Sequence, residues 1–229
     1  MGSETNHTAI AGIGHNLPEE ILVQAWTSRY AIAVVDLLRT EGGFVDDKAD
    51  RGGTTKYGIS LRFLVSEGKI DLDDDMRADF DLDGDGDIDG FDIRLLTRGD
   101  AKFLYHHCFW KRLNADNLPR PIGEMMFDQG VNAGLGSARR LLQLAINRCL
   151  VRATSTSKPA LLKIDGSIGT ATIDAMNWVL RWGALGMPAL TDAFRTEVRL
   201  RYRAIADRNP SQRKFLKGWL ARADRLGRF

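Results

Sequence analysis

Apolar positions recur along most of this chain at intervals of three and four residues, the spacing of helices that bury one stripe. Between residues 19 and 40 the stripe runs through Ile21, Leu22, Ala25, Ala31, Ala33, Val34, Leu37 and Leu38. Ser60 stands where it can cap a short helix over Leu61 to Ser66. Thr97-Arg98-Gly99-Asp100 has the form of a capping box, opening a helix through Ala101, Phe103, Leu104, Tyr105, Cys108 and Trp110. Pro119 and Pro121 precede a helix containing Met125, Met126 and Phe127, and residues 137–150 form another. Three more are expected near 168–182, 188–207 and 211–223, where Trp178, Trp182 and Phe194 at helical spacing read as core. Residues 41–59, with paired glycines, read instead as loop or a small β-hairpin. The expected fold class is mainly α, a helical globule with one small β element.

Composition adds boundaries. The chain has 229 residues, 44% of them hydrophobic, enough for one core with an appended piece. Residues 1–16 are rich in Gly, Asn and His and read as disordered. A catalytic domain is expected over 17–150, interrupted by an acidic insertion at 68–96. A helical C-terminal region over 151–229 begins with the loop-like stretch 151–160 and is expected to pack on the catalytic part. Net charge is only +2, but it is unevenly spread: residues 71–92 hold eleven Asp and one Arg, while residues 191–229 hold eleven Lys or Arg and four Asp or Glu. The basic end has no interleaved aromatic platform, so no nucleic-acid partner is expected. Cys108 and Cys149 sit in apolar runs and read as buried reduced thiols rather than a disulfide framework. Residues 1–18 have neither a basic start nor a continuous apolar stretch, so synthesis without a signal peptide is expected, and no run of 18 apolar residues predicts a membrane span. A monomer is the default expectation.

The chemistry concentrates between residues 41 and 60. Glu41 follows an apolar helical segment and precedes Gly42-Gly43; Asp50 follows nine positions later in Asp50-Arg51-Gly52-Gly53-Thr54-Thr55. Two carboxylates on different supports, beside glycines that let a ligand approach backbone, are what glycoside hydrolysis usually needs. A helix C-terminus carries the negative end of the dipole, which disfavours a carboxylate and raises its pKa. Stability would place Lys or Arg there, whereas a general acid gains from that position. Asp50 has a second reading, an Asx-turn residue supporting the Gly52-Gly53 bend.

This run resembles the glycoside hydrolase family 108 lysozymes, whose pattern of Glu-Gly-Gly, Asp-x-Gly-Gly-x-Thr and Gly-Ile is matched by Glu41, Gly42, Gly43, Asp50, Gly52, Gly53, Thr55, Gly58 and Ile59. Ala101, Tyr105 and Trp110 are similar to a later stretch of that family, as is Asp128-Gln129-Gly130-Val131-Asn132-Ala133-Gly134. Asp165-Gly166-Ser167-Ile168-Gly169 with Thr172 resembles the turn of its companion peptidoglycan-binding region. The resemblance implies a lysozyme-like fold and an N-acetylmuramidase cleaving the β-1,4 bond between N-acetylmuramic acid and N-acetylglucosamine. Glu41 would be the general acid, Asp50 the general base for water or an electrostatic stabiliser, and Thr55 would help hold that water. It also implies a phage endolysin, made in the host cytoplasm, released by a holin and acting in the periplasm or cell wall. The Glu-to-Asp spacing is similar to that of the T-even phage lysozymes too, although their Thr would fall on Lys56. Tyr57, Asp128, Gln129 and Asn132 are candidate substrate contacts. An inactive calcium-stabilised wall-binding or phage structural module, and a bacterial muramidase serving secretion, are the alternative functions.

The acidic insertion carries a further motif. Asp81 to Asp92 fits a twelve-residue EF-hand loop, with Asp81, Asp83, Asp85, Asp89 and Asp92 at carboxylate positions, Gly86 at the sharp turn and Asp87 offering its carbonyl. Asp92 stands where Glu is usual and is one methylene shorter. Six acids within twelve residues repel one another unless a cation intervenes, so structural Ca²⁺ is the expected ligand. His106-His107 are adjacent and do not share a helix face, so one buried and one exposed ring is expected rather than a metal site.

Overall fold

The apolar stripes become helices in the structure, a computed structural model that describes residues 26–40, 54–71, 74 and 76–228. The expectations for residues 1–16, for the start of the first helix and for Glu41 and Asp50 lie outside these residues. The chain forms two compact units, one ending at Cys108 and the other beginning at Phe109. That division falls inside the stretch expected as a single catalytic domain.

In the first unit, α1 (Ser28–Thr40) buries Tyr30, Ala33, Val34, Leu37 and Leu38 and leaves Ile32 and Val35 outward. The glycine-rich region ends in an antiparallel hairpin, β1 (Thr55–Lys56) paired with β2 (Ile59–Ser60), with Thr55 opposite Ser60 and Lys56 opposite Ile59. Tyr57 and Gly58 make the two-residue turn with φ of 52° and 77°, the type I′ geometry that matches strand twist. Ser60 ends the strand and caps α2 (Leu61–Glu67), its Oγ accepting the Phe63 N–H at 3.3 Å. The acidic loop leads to α3 (Gly90–Leu95), and Thr97 opens α4 (Arg98–Tyr105). The capping box read from sequence is formed reciprocally: Thr97 Oγ1 accepts the Asp100 N–H at 3.1 Å and Asp100 Oδ2 accepts the Thr97 N–H at 2.7 Å.

The helix expected to continue to Trp110 instead leaves α geometry after Tyr105 and widens into a π-turn over His106–Trp110. The wider turn re-phases the stripe, so Cys108 and Trp110 are buried while both histidines are half-buried. His106 meets the Tyr30 ring edge-on at 4.7 Å and His107 stacks on Phe103 at 5.6 Å, which corrects the one-in, one-out expectation.

In the second unit a 3₁₀ turn (Ala115–Asn117) precedes α5 (Ile122–Ala133), α6 (Leu135–Arg152), α7 (Thr170–Arg181) and α8 (Gly186–Arg208). A second 3₁₀ stretch (Pro210–Phe215) joins α8 to α9 (Leu216–Arg225). Helix α6 packs on α5, α7 and α8, and α9 packs back on α8. Leu142, Ile146, Leu150, Leu190, Phe194 and Val198 fill this core. Arg148 and Glu197 join α6 to α8 at 2.6 Å. Cys108 and Cys149 are both buried and not joined in a disulfide, and burial pushes the Cys149 thiol up to about 11. Of the aromatics expected in the core, only Phe194 is fully enclosed; Trp178 and Trp182 are half-buried and stack on each other at 5.0 Å. Among the described residues the fold is mainly α with one small two-stranded sheet, the class expected. No described helix is long and apolar enough to cross a membrane.

Replacing Thr97 by Ala removes the cap of α4 and is expected to cost about 1 kcal/mol of stability, with Thr97→Ser retaining most of it. Urea unfolding of the three proteins measures the difference, and equal midpoints for wild type and Thr97→Ala would remove α4 capping from the account.

Candidate functional site

Helix α4 positions the parts on which the hydrolase chemistry was expected. On one side the Tyr30 hydroxyl of α1 donates to the Lys102 carbonyl of α4. Burial pushes that hydroxyl's pKa well above its usual value, so it stays a donor. Trp26 meets Tyr30 edge-on at 5.2 Å. Helix α1, so anchored, runs to Thr40, the residue before Glu41. Three residues beyond Lys102, the Tyr105 hydroxyl donates to the Tyr57 carbonyl at 3.0 Å. The same helix therefore holds the element leading to Glu41 and the hairpin that presents Thr55 and Tyr57.

Tyr57 is a bulky residue in the left-handed region, which costs on the order of 1–2 kcal/mol against an extended backbone. The Tyr105 hydrogen bond offsets part of that cost, and the Lys56 ammonium lies 5.5 Å from the Tyr57 ring centroid. A third support comes from α3: Lys56 Nζ donates to the Arg94 carbonyl, and a Cβ at Gly90 would come within 3.8 Å of Thr54 Oγ1.

That third support connects the hairpin to the acidic loop. Asp81 accepts three backbone N–H groups at its carboxylate, from Gly84 at 2.9 Å, Asp85 at 3.1 Å and Gly86 at 2.9 Å. Gly86 turns the loop with φ 98°. Asp92, only 1% exposed, closes the loop from its far end: Oδ1 accepts the Leu82 N–H at 2.6 Å and Oδ2 the Asp89 N–H at 2.7 Å. The carboxylates form two trios, Asp81 with Asp83 and Asp85, and Asp87 with Asp89 and Asp92, each with ligand oxygens within 4.8 Å of one another. Asp87 has its pKa raised, first by Asp85 and then by desolvation; Asp83 is raised by desolvation first and by its acidic neighbours after that. An all-oxygen, carboxylate-rich donor set suits a hard divalent cation of the calcium kind.

The remaining expected contacts lie on α5 in the second unit. Asp128 forms a two-pronged ion pair with Arg222 of α9, the shorter arm at 2.8 Å. Gln129 has no exposed surface to offer a ligand; its Nε2 donates to Asp128 at 2.9 Å and to the Tyr202 hydroxyl at 3.3 Å. Asn132 is exposed, and its Nδ2 donates to the Asp128 carbonyl one turn earlier at 2.7 Å.

The Asp165–Thr172 turn is built around a residue that sequence reasoning passed over, Gln143 of α6. Its Oε1 accepts the Gly166 N–H at 2.8 Å, and its Nε2 donates to Asp165 Oδ1 at 2.9 Å and to the Ser167 carbonyl at 3.0 Å. Thr172 Oγ1 donates to the same Ser167 carbonyl at 3.2 Å. Gly166 needs its φ of 79° here, and an added Cβ would sit 3.5 Å from the Gly136 carbonyl. The hydrogen bond from Gln143, then that from the Ser167 N–H, holds the Asp165 carboxyl below its usual range. A polar residue in the buried stripe of Leu142, Ala145 and Ile146 was the signal available in the sequence.

With this geometry in hand, the likenesses to known proteins set its class. Residues 34–134 match the family Glycosyl hydrolase 108, and residues 139–224 match a predicted peptidoglycan domain. The structure of Brucella abortus SagA is similar in fold, with a TM-score of 0.57 at 19% identity, over 87% of this chain and 96% of that one. No curated protein matches the sequence. The chain is a glycoside hydrolase acting on peptidoglycan, with a lysozyme-like, mainly helical architecture. The stretch similar to glycosyl hydrolase 108 is followed in the chain by the stretch similar to the peptidoglycan domain.

Gln143→Met keeps side-chain length and removes both hydrogen-bonding atoms. NMR titration is expected to show the Asp165 pKa rising toward the usual value near 4. Because the folded pKa is depressed in the wild type, Asp165 contributes stability that is fully present above the unfolded-state pKa and lost as pH falls through the folded one. The variant should lose less stability over that acid window, and an unmoved Asp165 titration would show that Gln143 is not its principal partner.

Proposed function

We propose that the chain is an N-acetylmuramidase that cleaves the β-1,4 bond between N-acetylmuramic acid and N-acetylglucosamine. The observation that carries this reading is the match of residues 34–134 to Glycosyl hydrolase 108, a stretch that contains Glu41, Asp50 and the Thr55 hairpin. Glu41 is the general acid and protonates the leaving glycosidic oxygen. Asp50 is the general base, taking a proton from water as it attacks the anomeric carbon, and Thr55 helps hold that water. Attack from the face opposite the leaving group inverts the configuration, which requires carboxyl groups about 6.5–9.5 Å apart. Tyr57 and Asn132 are the proposed substrate contacts on exposed or half-exposed positions. Asp128, through its pair with Arg222, and the enclosed Gln129 support the helix that carries Asn132.

Calcium belongs to the same proposal as a structural ion. Asp81, Asp83, Asp85, Asp89 and Asp92, with Asp87 adding its carbonyl, would hold it and be relieved of their mutual repulsion. The benefit would pass along α3 and Lys56 to the hairpin. No chemical step involves the ion.

Two biologies fit this chemistry. Phage lysis, with holin-dependent release of a monomer from the host cytoplasm to the wall, follows from the motif resemblance. Wall remodelling by a bacterial enzyme is favoured by the bacterial source of the similar SagA structure. Gene neighbours distinguish them.

Purified peptidoglycan digested with wild type should release fragments with muramic-acid reducing ends, read by mass spectrometry. Glu41→Gln is expected to lower that rate by about 10²-fold or more. Release by neither protein, across mildly acidic pH and with calcium present, would replace the enzyme with a wall-binding module. Calcium at about a hundredfold its Kd should add about 2.7 kcal/mol to stability. A melting temperature equal in calcium and in EDTA would remove the ion from the proposal.

A further inference from the structure

A pocket of about 780 Å³ in the second unit has a lining that includes Arg139, Asn114, Asn117, Asp165, Ser167 and Ile173, none of them a residue assigned to hydrolysis. Its size is that of a small-molecule site rather than of a polymer groove. The pocket is built rather than incidental. The Asp165–Ser167 turn is fastened to buried Gln143 by three hydrogen bonds, so its polar groups are held in place before any ligand arrives. Asn114, which lines the same space, sits in the left-handed region with φ 52°, and its Oδ1 accepts the Asn117 Nδ2 at 2.6 Å. Arg139 is half-buried, and its Nη2 donates to the Arg112 carbonyl at 2.7 Å, which orients the guanidinium while using one of its five donors.

The charges indicate what would fit. The pocket presents a fixed guanidinium, Arg139, with a second arginine, Arg112, also in its lining, and a carboxylate, Asp165, held ionised by Gln143 and Ser167. Both of those hydrogen bonds fall on Oδ1, which leaves the carboxylate with acceptor capacity. Among the described residues no aromatic ring lines the pocket, so they offer a sugar no face to stack on. A ligand carrying both carboxylates and an ammonium matches this lining better than an uncharged glycan. In peptidoglycan that combination belongs to the stem peptide, where a diamino acid carries a side-chain amine and the peptide ends in carboxylates.

We propose that this pocket binds the stem peptide of peptidoglycan, with Arg139 reading a carboxylate and Asp165 the diamino-acid ammonium. The assignment rests on peptidoglycan being the substrate. It makes the C-terminal unit a reader of peptide substitution, directing the hydrolase to glycan that carries uncleaved stems.

The test is calorimetric titration of the full chain with the tetrapeptide L-Ala-γ-D-Glu-meso-diaminopimelate-D-Ala and, separately, with a peptide-free GlcNAc–MurNAc oligosaccharide. Amide NMR is recorded on the wild-type chain with each ligand. The tetrapeptide is expected to bind, to shift the amides of Asn114, Asn117, Gly166 and Ser167, and to bind roughly tenfold or more weakly to Arg139→Gln, the loss of one charge-assisted contact. Tetrapeptide that fails to bind at millimolar concentration, equal affinity for Arg139→Gln, or amide shifts elsewhere would overturn the proposal. If Arg139→Gln does not fold, the wild-type amide map decides alone. Sacculus hydrolysis measured in parallel separates the two readings: peptide binding without hydrolysis removes the muramidase and leaves this site, and hydrolysis without peptide binding does the reverse.

Discussion

Two tyrosine hydroxyls bonded at α4 are the constraint on which the hydrolase half depends. Tyr30 ties α1 to the Lys102 carbonyl, and Tyr105 ties the hairpin through the Tyr57 carbonyl. Each contributes only about 1 kcal/mol net, but a buried hydroxyl left without its partner costs about 1–3 kcal/mol, so the alternatives are penalised more than the bonds are rewarded. The two contacts lie within one turn of a single capped helix. The segment leading to Glu41 and the strand turn next to Thr55 are thereby referred to one rigid element, the condition under which groups from distant parts of a chain can be held to catalytic tolerance.

The acidic loop works against that order and also supports it. Its carboxylates raise one another's pKa, and the backbone answers by directing N–H groups onto Asp81 and Asp92. Asp92 performs two tasks, closing the loop onto Leu82 and completing the capping box of α3 with Asp89. Since α3 also receives Lys56 from the hairpin, the loop and the turn that carries Tyr57 are joined to the same short helix. A shorter Asp in place of the usual Glu suits this arrangement, because the carboxylate must stay close enough to its own backbone to reach both N–H groups.

The second unit solves a different problem. Its helices bury a broad apolar core, and its polar side chains are spent on joining elements: Arg148 with Glu197, Arg222 with Asp128, and Gln143 with the Asp165–Ser167 turn. Gln143 is the least replaceable of these, since every atom of its amide that can hydrogen-bond is engaged with a loop that has little apolar surface to hold it down.

Periodicity by itself determined the helical class, the caps at Ser60 and Thr97, the hairpin near residue 55 and the run of C-terminal helices, because each rests on local geometry and on a buried stripe. The glycine-rich motif and the alternating aspartates named the chemistry to look for, since residue type and spacing are local as well. Tertiary structure decided what those residues do beyond their neighbours. It turned Gln129 inward and engaged Asp128 with Arg222, 94 residues away, where sequence had offered both for substrate. It left Trp178 and Trp182 half-exposed, widened α4 into a π-turn, and assigned Gln143 to a turn more than twenty residues ahead. Such partnerships depend on which helices pack and at what rotation, quantities set by the whole core and carried by no single stretch of sequence.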